Sequence, residues 1–290
     1  MSILDVSEIS KPATVRPVPL LRIRASSGLS PIRFREVWEF RDLLVALALR
    51  DVKLRYKQTA LGVAWVVLQP LLAAGIFSFV FGLLAKMPSG GKPFFLLSYT
   101  GLLGWNLFNT VITRSSGCLV GNSQLVSKIF FPRLVLPLST VPSALIDFAV
   151  ALAMMAILLV AYHCPPGASI LILPFWSALL LLSSSGIGLW TSALMVSYRD
   201  VQYILPVALQ MLFYASPAGY DAALAVPQKY RLIYYLNPLA SVLDGFRWSL
   251  INTAPPGLAY VAYATAVSAA LFISGAYAFR KMERRFADVI

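Results

Sequence analysis

Histidine occurs once in these 290 residues, cysteine twice and acidic residues only twelve times. Each shortage removes a class of chemistry. Neither an H-E-x-x-H stretch nor a zinc-type or disulfide-type cysteine pattern exists, and G-x-S-x-G is missing as well. Half of the acidic residues precede residue 60 and no loop carries a carboxylate pair, which argues against an enzyme that groups Asp or Glu around a metal. Nor is there a G-x-x-x-x-G-K-[ST] loop: SGGKP at 89–93 sets glycine beside lysine without that spacing, so the chain has no P-loop for ATP. Strand-like alternation is absent. The N-terminus lacks a short apolar core followed by a small-residue cleavage site, and the first long apolar segment is expected to act as its own insertion signal.

Apolar residues, by contrast, make up 59% of the chain against 12% charged, with a mean hydropathy of +0.75. Such a chain cannot cover its apolar surface in water, so lipid must do it. Bilayer hydrocarbon takes roughly 20 mostly apolar residues as a helix. Six windows meet that need, at about 61–85, 94–117, 134–161, 172–196, 201–219 and 257–279. The expected fold is an all-α polytopic membrane protein with six transmembrane helices.

The net charge of +12 raises the question of nucleic acid, and its distribution answers for a membrane. With both termini on one side, that side holds nineteen Lys and Arg, and the other only Lys86, Lys92, Lys229, Arg231 and Arg247. Positive charge is retained in the cytoplasm during insertion, so both termini are placed there and nucleic acid is not an expected partner. Cys118 and Cys164 then fall on opposite sides and cannot pair. Arg50, Lys53, Arg55 and Lys57 crowd the approach to the first window, where each cation against an anionic headgroup contributes about 1 kcal/mol.

Three segments lie outside the windows. Residues 1–33 mix Ser, Pro and Arg without periodicity and read as a poorly ordered tail. Over 34–60, Val37, Phe40, Leu44 and Leu47 recur at helical spacing among charges, which predicts an amphipathic helix lying in the membrane interface or packed on a partner. Over 122–131, Asn122 or Ser123 can cap a short helix, Leu125 with Ile129 and Val126 with Phe130 fall four apart, and Pro132 ends it. Its exposed apolar face needs either the membrane or a docking protein to cover it. Farther on, Asn237 and Pro238 form a helix start, after which Leu239, Val242, Leu243, Phe246 and Leu250 make one apolar face with Asp244 and Arg247 off it. A helix that short, with two charges, suits a re-entrant or interfacial position, with KYRLIYYL as its shorter mate. The pair either gates a path or seals the bundle.

Inside the windows, Asp147 costs roughly 2.5–3.5 kcal/mol at mid-depth and must face protein or water. With His163 as the only histidine, at the outer end of the same window, a structural role with a hydrogen-bonding partner is preferred to a proton relay. Ser184 and Gly188 are spaced for close helix packing. Trp65, Trp105, Trp176, Trp190 and Trp248 mostly lie near window ends, as membrane-interface tryptophans do. Phe77 and Phe81 share a face of the first window; with Tyr203, Phe213 and Tyr214 of the fifth they are candidates to line a path for something with apolar faces and hydroxyls, such as sugar rings.

In order, RDVKLRYKQTALGVAWVVLQPLL, SKIFFPRLVLPLS, ALIDF, SYRDVQYILPVALQ, FYASPAGYD and LNPLASVLDGFRWSLI resemble the membrane permeases of bacterial type-2 ABC exporters for O-antigen and related polysaccharides, over roughly residues 34–285. The resemblance implies a six-span permease of the bacterial inner membrane that pairs with a second copy of itself and with two separate ATPase subunits. ATP and Mg would sit in those subunits; this chain would be a transport subunit without cofactor, in contact with membrane lipids. By the same resemblance, 122–131 would be the coupling helix, with Gln124, Leu125, Lys128, Ile129, Phe130 and Phe131 as contacts. The outer elements at about 227–251 would be gate helices carrying Tyr234, Tyr235, Phe246 and Arg247. The first and fifth spans would line the conduit with the aromatics named above. The cargo would be an undecaprenyl-diphosphate-linked polysaccharide, whose pyrophosphate Arg50, Lys53, Arg55 and Lys57 could meet. Teichoic acid, capsule and small-lipid or drug permeases share these helices; a secondary transporter would run without the ATPase.

Overall fold

The computed structural model of the chain describes residues 34–57, 62, 64–283 and 286. The expected tail over 1–33 lies outside the described residues. Two short helices come first, α1 (Phe34–Glu39) and α2 (Arg41–Tyr56). Next is α3 (Ala64–Phe77), whose end widens into a π-helical stretch over Ser78–Leu84, with the Ala85 amide donating to the Val80 carbonyl. Then follow α4 (Phe94–Gly121), α5 (Ser123–Lys128), α6 (Val135–Ala161), α7 (Leu173–Ser197) and α8 (Val201–Tyr214). The chain ends with the small helices α9 (Ala222–Ala225) and α10 (Arg231–Tyr234), then α11 (Pro238–Ile251) and α12 (Leu258–Met282). No strand occurs among the described residues.

Among the described residues, four segments are long and apolar enough to cross a membrane: Ala64–Leu84, Val135–Ala161, Ala168–Ser197 and Leu258–Met282. The other two expected windows differ, each for its own reason. The second becomes α4, 28 residues long but carrying Ser98, Thr100, Asn106, Asn109, Arg114, Ser115 and Ser116. It tolerates them because α3, α6, α7 and α11 pack around it. Thr100 and Ser116 return their hydroxyls to the carbonyls four residues back, and Ser115 bonds Thr140 of α6 at 2.8 Å. The fifth window becomes α8, apolar but only 14 residues, or about 21 Å at 1.5 Å per residue.

Close backbone approach sets the bundle. A Cβ on Gly275 of α12 would strike the Gly186 carbonyl of α7, so these helices meet where neither carries a side chain. Gly188, expected at a packing face, meets Ser115 of α4. The expected inward face of the N-terminal helix is present but is covered by the chain itself. Leu47 is buried, and Val37, Phe40 and Leu44 pack partly against a cluster of Leu119, Val126, Phe131, Leu134, Val135 and Phe279. The opposite face of α1–α2 presents Trp38, Val45 and Leu49 beside Arg41, Lys53 and Lys57.

Helix α4 also fixes the molecule's two ends. Arg247 reaches the Leu97 carbonyl near its start, and Arg50 reaches Asn122 just past its finish. Those 25 residues span about 38 Å.

Candidate functional site

At the cation-rich end, α6 carries Asp147 opposite Arg114 of α4, while the end of α2 delivers Arg55 and Tyr56 to the same carboxylate. Arg55 Nη1 lies 2.6 Å from Oδ2, Arg114 Nη2 bonds the same oxygen, and the Tyr56 hydroxyl donates to Oδ1. Arg114 Nη1 also donates to the Ser143 hydroxyl at 3.2 Å. Burial and the bond to Asp147 push the Tyr56 hydroxyl up to about 12, so it remains a donor throughout the physiological range. The expected partner of Asp147 is thus three side chains on two helices. The cluster also revises the reading of the cationic run. Arg55, expected at a pyrophosphate, is held by Asp147; Arg50 is exposed but donates to Asn122 at 2.7 Å and to Asp51 at 3.2 Å, and Lys53 and Lys57 are exposed as well.

Beside Arg50 lies α5. The expected helix over 122–131 stops at Lys128, where Ile129 turns extended (φ −123°, ψ 133°) ahead of Pro132. Asn122, expected to cap this helix, closes α4 instead, its amide donating to the Cys118 carbonyl at 2.8 Å. In extended backbone consecutive side chains point to opposite sides, which separates the two phenylalanines. Phe130 is 69% exposed, whereas Phe131 is 6% exposed among Leu134, Val135 and Phe279, so Phe131 is corrected from a docking contact to a core residue. Gln124, Lys128 and Ile129 face outward with Phe130, while Leu125 is half-buried. Gln124, Leu125, Lys128 and Ile129, with Arg50 and Asn122, border a cavity of about 510 Å³ between α2 and α5; Phe130 lies outside it.

Between α3 and α8 the expected aromatics converge. Phe77 and Phe81 stack with centroids 5.4 Å apart, Phe213 meets Phe77 edge-on at 5.9 Å, and Tyr214 adjoins Phe213 at 5.7 Å. They line an apolar groove of about 330 Å³ with Ile76 and Val80, and Gly219 is open space into which the Phe77 ring fits. Tyr203 does not join them. It lies three turns from Tyr214 on the exposed stripe of α8 with Val207 and Met211.

At the far end, α11 starts as expected, the Asn237 side chain accepting from the Leu239 amide at 3.1 Å and Pro238 opening the first turn. Leu239, Val242, Leu243, Phe246 and Leu250 are all buried. Asp244 and Arg247, expected off this face, are buried as well and bond each other at 3.2 Å. Arg247 also donates to the carbonyls of Leu97, Pro217 and Ala218, stapling the 215–219 turn to α4. Tyr235 donates to Asp244 at 2.7 Å, and the Tyr234 and Tyr220 hydroxyls meet at 2.9 Å. Burial raises the Asp244 carboxyl to about 6, although Arg247 and Tyr235 pull it down, and it raises the hydroxyls of Tyr234 and Tyr235 too. Of the four residues expected at a gate, Phe246 and Arg247 therefore anchor α11 in the bundle rather than face an opening.

Residues 42–251 match the family described as ABC-2 type transporter. The chain belongs to this ABC-2 type transporter family. It is 30% identical over 250 residues to the O-antigen export system permease protein RfbA of Klebsiella pneumoniae, covering 86% of this chain and 95% of that one. The RfbA protein of Myxococcus xanthus is 28% identical over 257 residues, 88% and 98% of the two chains. The polysialic acid transport protein KpsM of Escherichia coli is 30% identical over 208 residues, 69% and 77%.

As an ABC-2 type transporter with several apolar crossings, the chain is a multi-pass membrane protein. One member of the Asp147 cluster, Arg114, carries a signal in the sequence that spacing does not single out. Arg114 sits within the window at 94–117, where an isolated charge demands a partner of opposite sign. Asp147, the only acid inside any window, was that partner.

Proposed function

We propose that the chain is the membrane-embedded permease of an ATP-driven exporter, moving a polyprenyl-diphosphate-linked polysaccharide of the O-antigen kind out of the cytoplasm. In this reading α4 and α8 complete six spans, both termini are cytoplasmic, α10 and α11 are re-entrant, and two copies work with two separate ATPase subunits that hold ATP and Mg. The observation that carries it is the groove of Phe77, Phe81, Phe213 and Tyr214, an aromatic surface open on one side of a chain without a P-loop. Rings of this kind accept the apolar faces of successive sugars while imposing little hydrogen-bond specificity. Similarity to two RfbA permeases over 86% and 88% of this chain supports the cargo class. A capsule-like acidic cargo is the second reading, favoured by the shorter KpsM match.

The geometry provides a route for force. An ATPase subunit holding Gln124, Lys128, Ile129 and Phe130 would move α5, which joins α4 through Asn122 and α2 through the Arg50 bond. Helix α4 carries the displacement to the Arg247 staple at the far end. Lys53 and Lys57 lie where a lipid pyrophosphate would approach, as point charges rather than bidentate clamps. The test is export in living cells: deletion of the chain should leave lipid-linked polysaccharide inside the cytoplasmic membrane, and re-expression should restore surface polymer. Surface polymer that persists after deletion would contradict the reading.

A further inference from the structure

A second cavity, of about 400 Å³, lies at the far end between the α9–α10 segment, α11 and the start of α12. It is separate from the aromatic groove and differs from it in kind. Asp221, Asp244 and Tyr235 form its buried floor, with Arg231 beside them, and Gln228, Thr253 and Tyr260 stand around them. Leu232, Pro255 and Pro256 supply apolar flank, and the Tyr260 ring stacks on Tyr235 at 4.4 Å.

Several polar groups lining this space are left over. Asp221 is 7% exposed, and its Oδ1 accepts from the Ala223 amide at 2.9 Å; no partner for its Oδ2 occurs among the described residues. The same holds for the Gln228 amide, the Thr253 hydroxyl and the Tyr260 hydroxyl. Asp221 Oδ2 is not sealed inside the protein, so it is open to a hydroxyl donor that enters the cavity. The occupant's charge follows from the neighbours. Arg231 offsets Asp221 while bonding the Ala223 and Val226 carbonyls, and Arg247 offsets Asp244 from behind. Two carboxylates face two guanidiniums, so the pocket gives neither a metal cation nor a phosphate a net attraction. What remains is a neutral molecule rich in hydroxyl donors, with apolar C–H faces for the prolines and tyrosines. The volume lies within the range of small-molecule sites, about 300–1,000 Å³.

We propose that this cavity binds one or two neutral sugar units, giving the exporter a glycan-holding site at its far end, apart from the conduit. This rests on the exporter reading for its biological use, but not for its binding chemistry. The held unit would keep the leading end of the polymer from sliding back between strokes.

The test uses the full chain in lipid nanodiscs free of sugar-headed detergent, with saturation-transfer NMR against glucose, galactose, mannose, rhamnose and N-acetylglucosamine. Transfer to at least one sugar is expected, with binding about tenfold weaker in Asp221→Asn, which removes a charged acceptor but retains an oxygen for the Ala223 amide. Gln228→Ala, on the exposed rim, should weaken the same signal without lowering thermal stability. No transfer from the whole panel, or transfer indifferent to both substitutions, overturns the proposal. Surface-polymer measurement in cells lacking the chain is scored separately, so failure of the exporter reading and failure of the sugar site give different results.

Discussion

Arg55 and Asp147 stand 92 positions apart in the chain and meet at 2.6 Å, joining the helix before the first span to the middle of α6. Asp147 has two guanidiniums for one carboxylate, so removing it leaves Arg114 with only the Ser143 hydroxyl in a poorly hydrated place and takes one carboxylate from Arg55. Asp147→Asn should cost about 1–3 kcal/mol, less than a fully buried pair because Arg55 is one-third exposed. Adding Arg114→Gln to Asp147→Asn should recover part of that loss. Thermal unfolding of the single and double variants measures both; a single variant that melts with the wild type contradicts the cluster's role.

Adjacent phenylalanines should behave oppositely. Phe130→Asp should abolish co-purification with the ATPase subunit and leave the melting temperature in place, since the ring is already exposed. Phe131→Ala should instead destabilise the chain by about 3 kcal/mol through a core cavity. Loss of stability in the first, or of docking alone in the second, would reverse the assignment.

Much of this arrangement was legible in the sequence where signals are local. The windows at 61–85, 134–161, 172–196 and 257–279 correspond to four helices of crossing length, and Asn237–Pro238 marked the start of α11 correctly. What stayed hidden depends on distant partners. No period tells that Phe213 meets Phe77 while Tyr203 of the same helix does not, or that Arg247 turns inward to three carbonyls. The limits of α5 were hidden for another reason: four-residue spacing fits a helix through Phe130, but in a continued helix the Pro132 ring would meet the Lys128 carbonyl, and the helix ends there.

Within the groove, Tyr214→Ala should reduce polysaccharide export several-fold while changing stability by about 0.5 kcal/mol or less, because the side chain is largely exposed. Tyr203→Ala, outside the groove on the same helix, is the matched control and should export normally. Equal export by both would remove the groove from the path.

The Asp244 carboxyl titrates at about 6 in the folded chain, above its ordinary 3.8, so the native state holds the proton more tightly than the unfolded one. Its contribution to stability is therefore full below about pH 4 and is lost as pH rises through about 6. Relative to Asp244→Asn, which cannot titrate, the wild type should lose melting temperature between pH 4 and pH 7. A difference between the two that is constant across that interval contradicts the shift.

The glycine contact between α7 and α12 makes a simple demand. In Gly275→Ala the new methyl meets the Gly186 carbonyl, a backbone atom that cannot swing aside, so the helices must separate at a cost of about 1–3 kcal/mol. Unchanged melting would show that the helices slide freely.

The span of α4 between Asn122 and Leu97 has a rotational meaning as well as a length. Each residue of an α-helix turns its successor by about 100°, so one residue inserted midway would twist the Arg50 attachment about a quarter-turn away from the Arg247 attachment. Both sets of bonds could not then form together. A compatible lengthening has to come in near-whole turns, about seven residues at a time, which locks the phase of the helix's two attachments to each other.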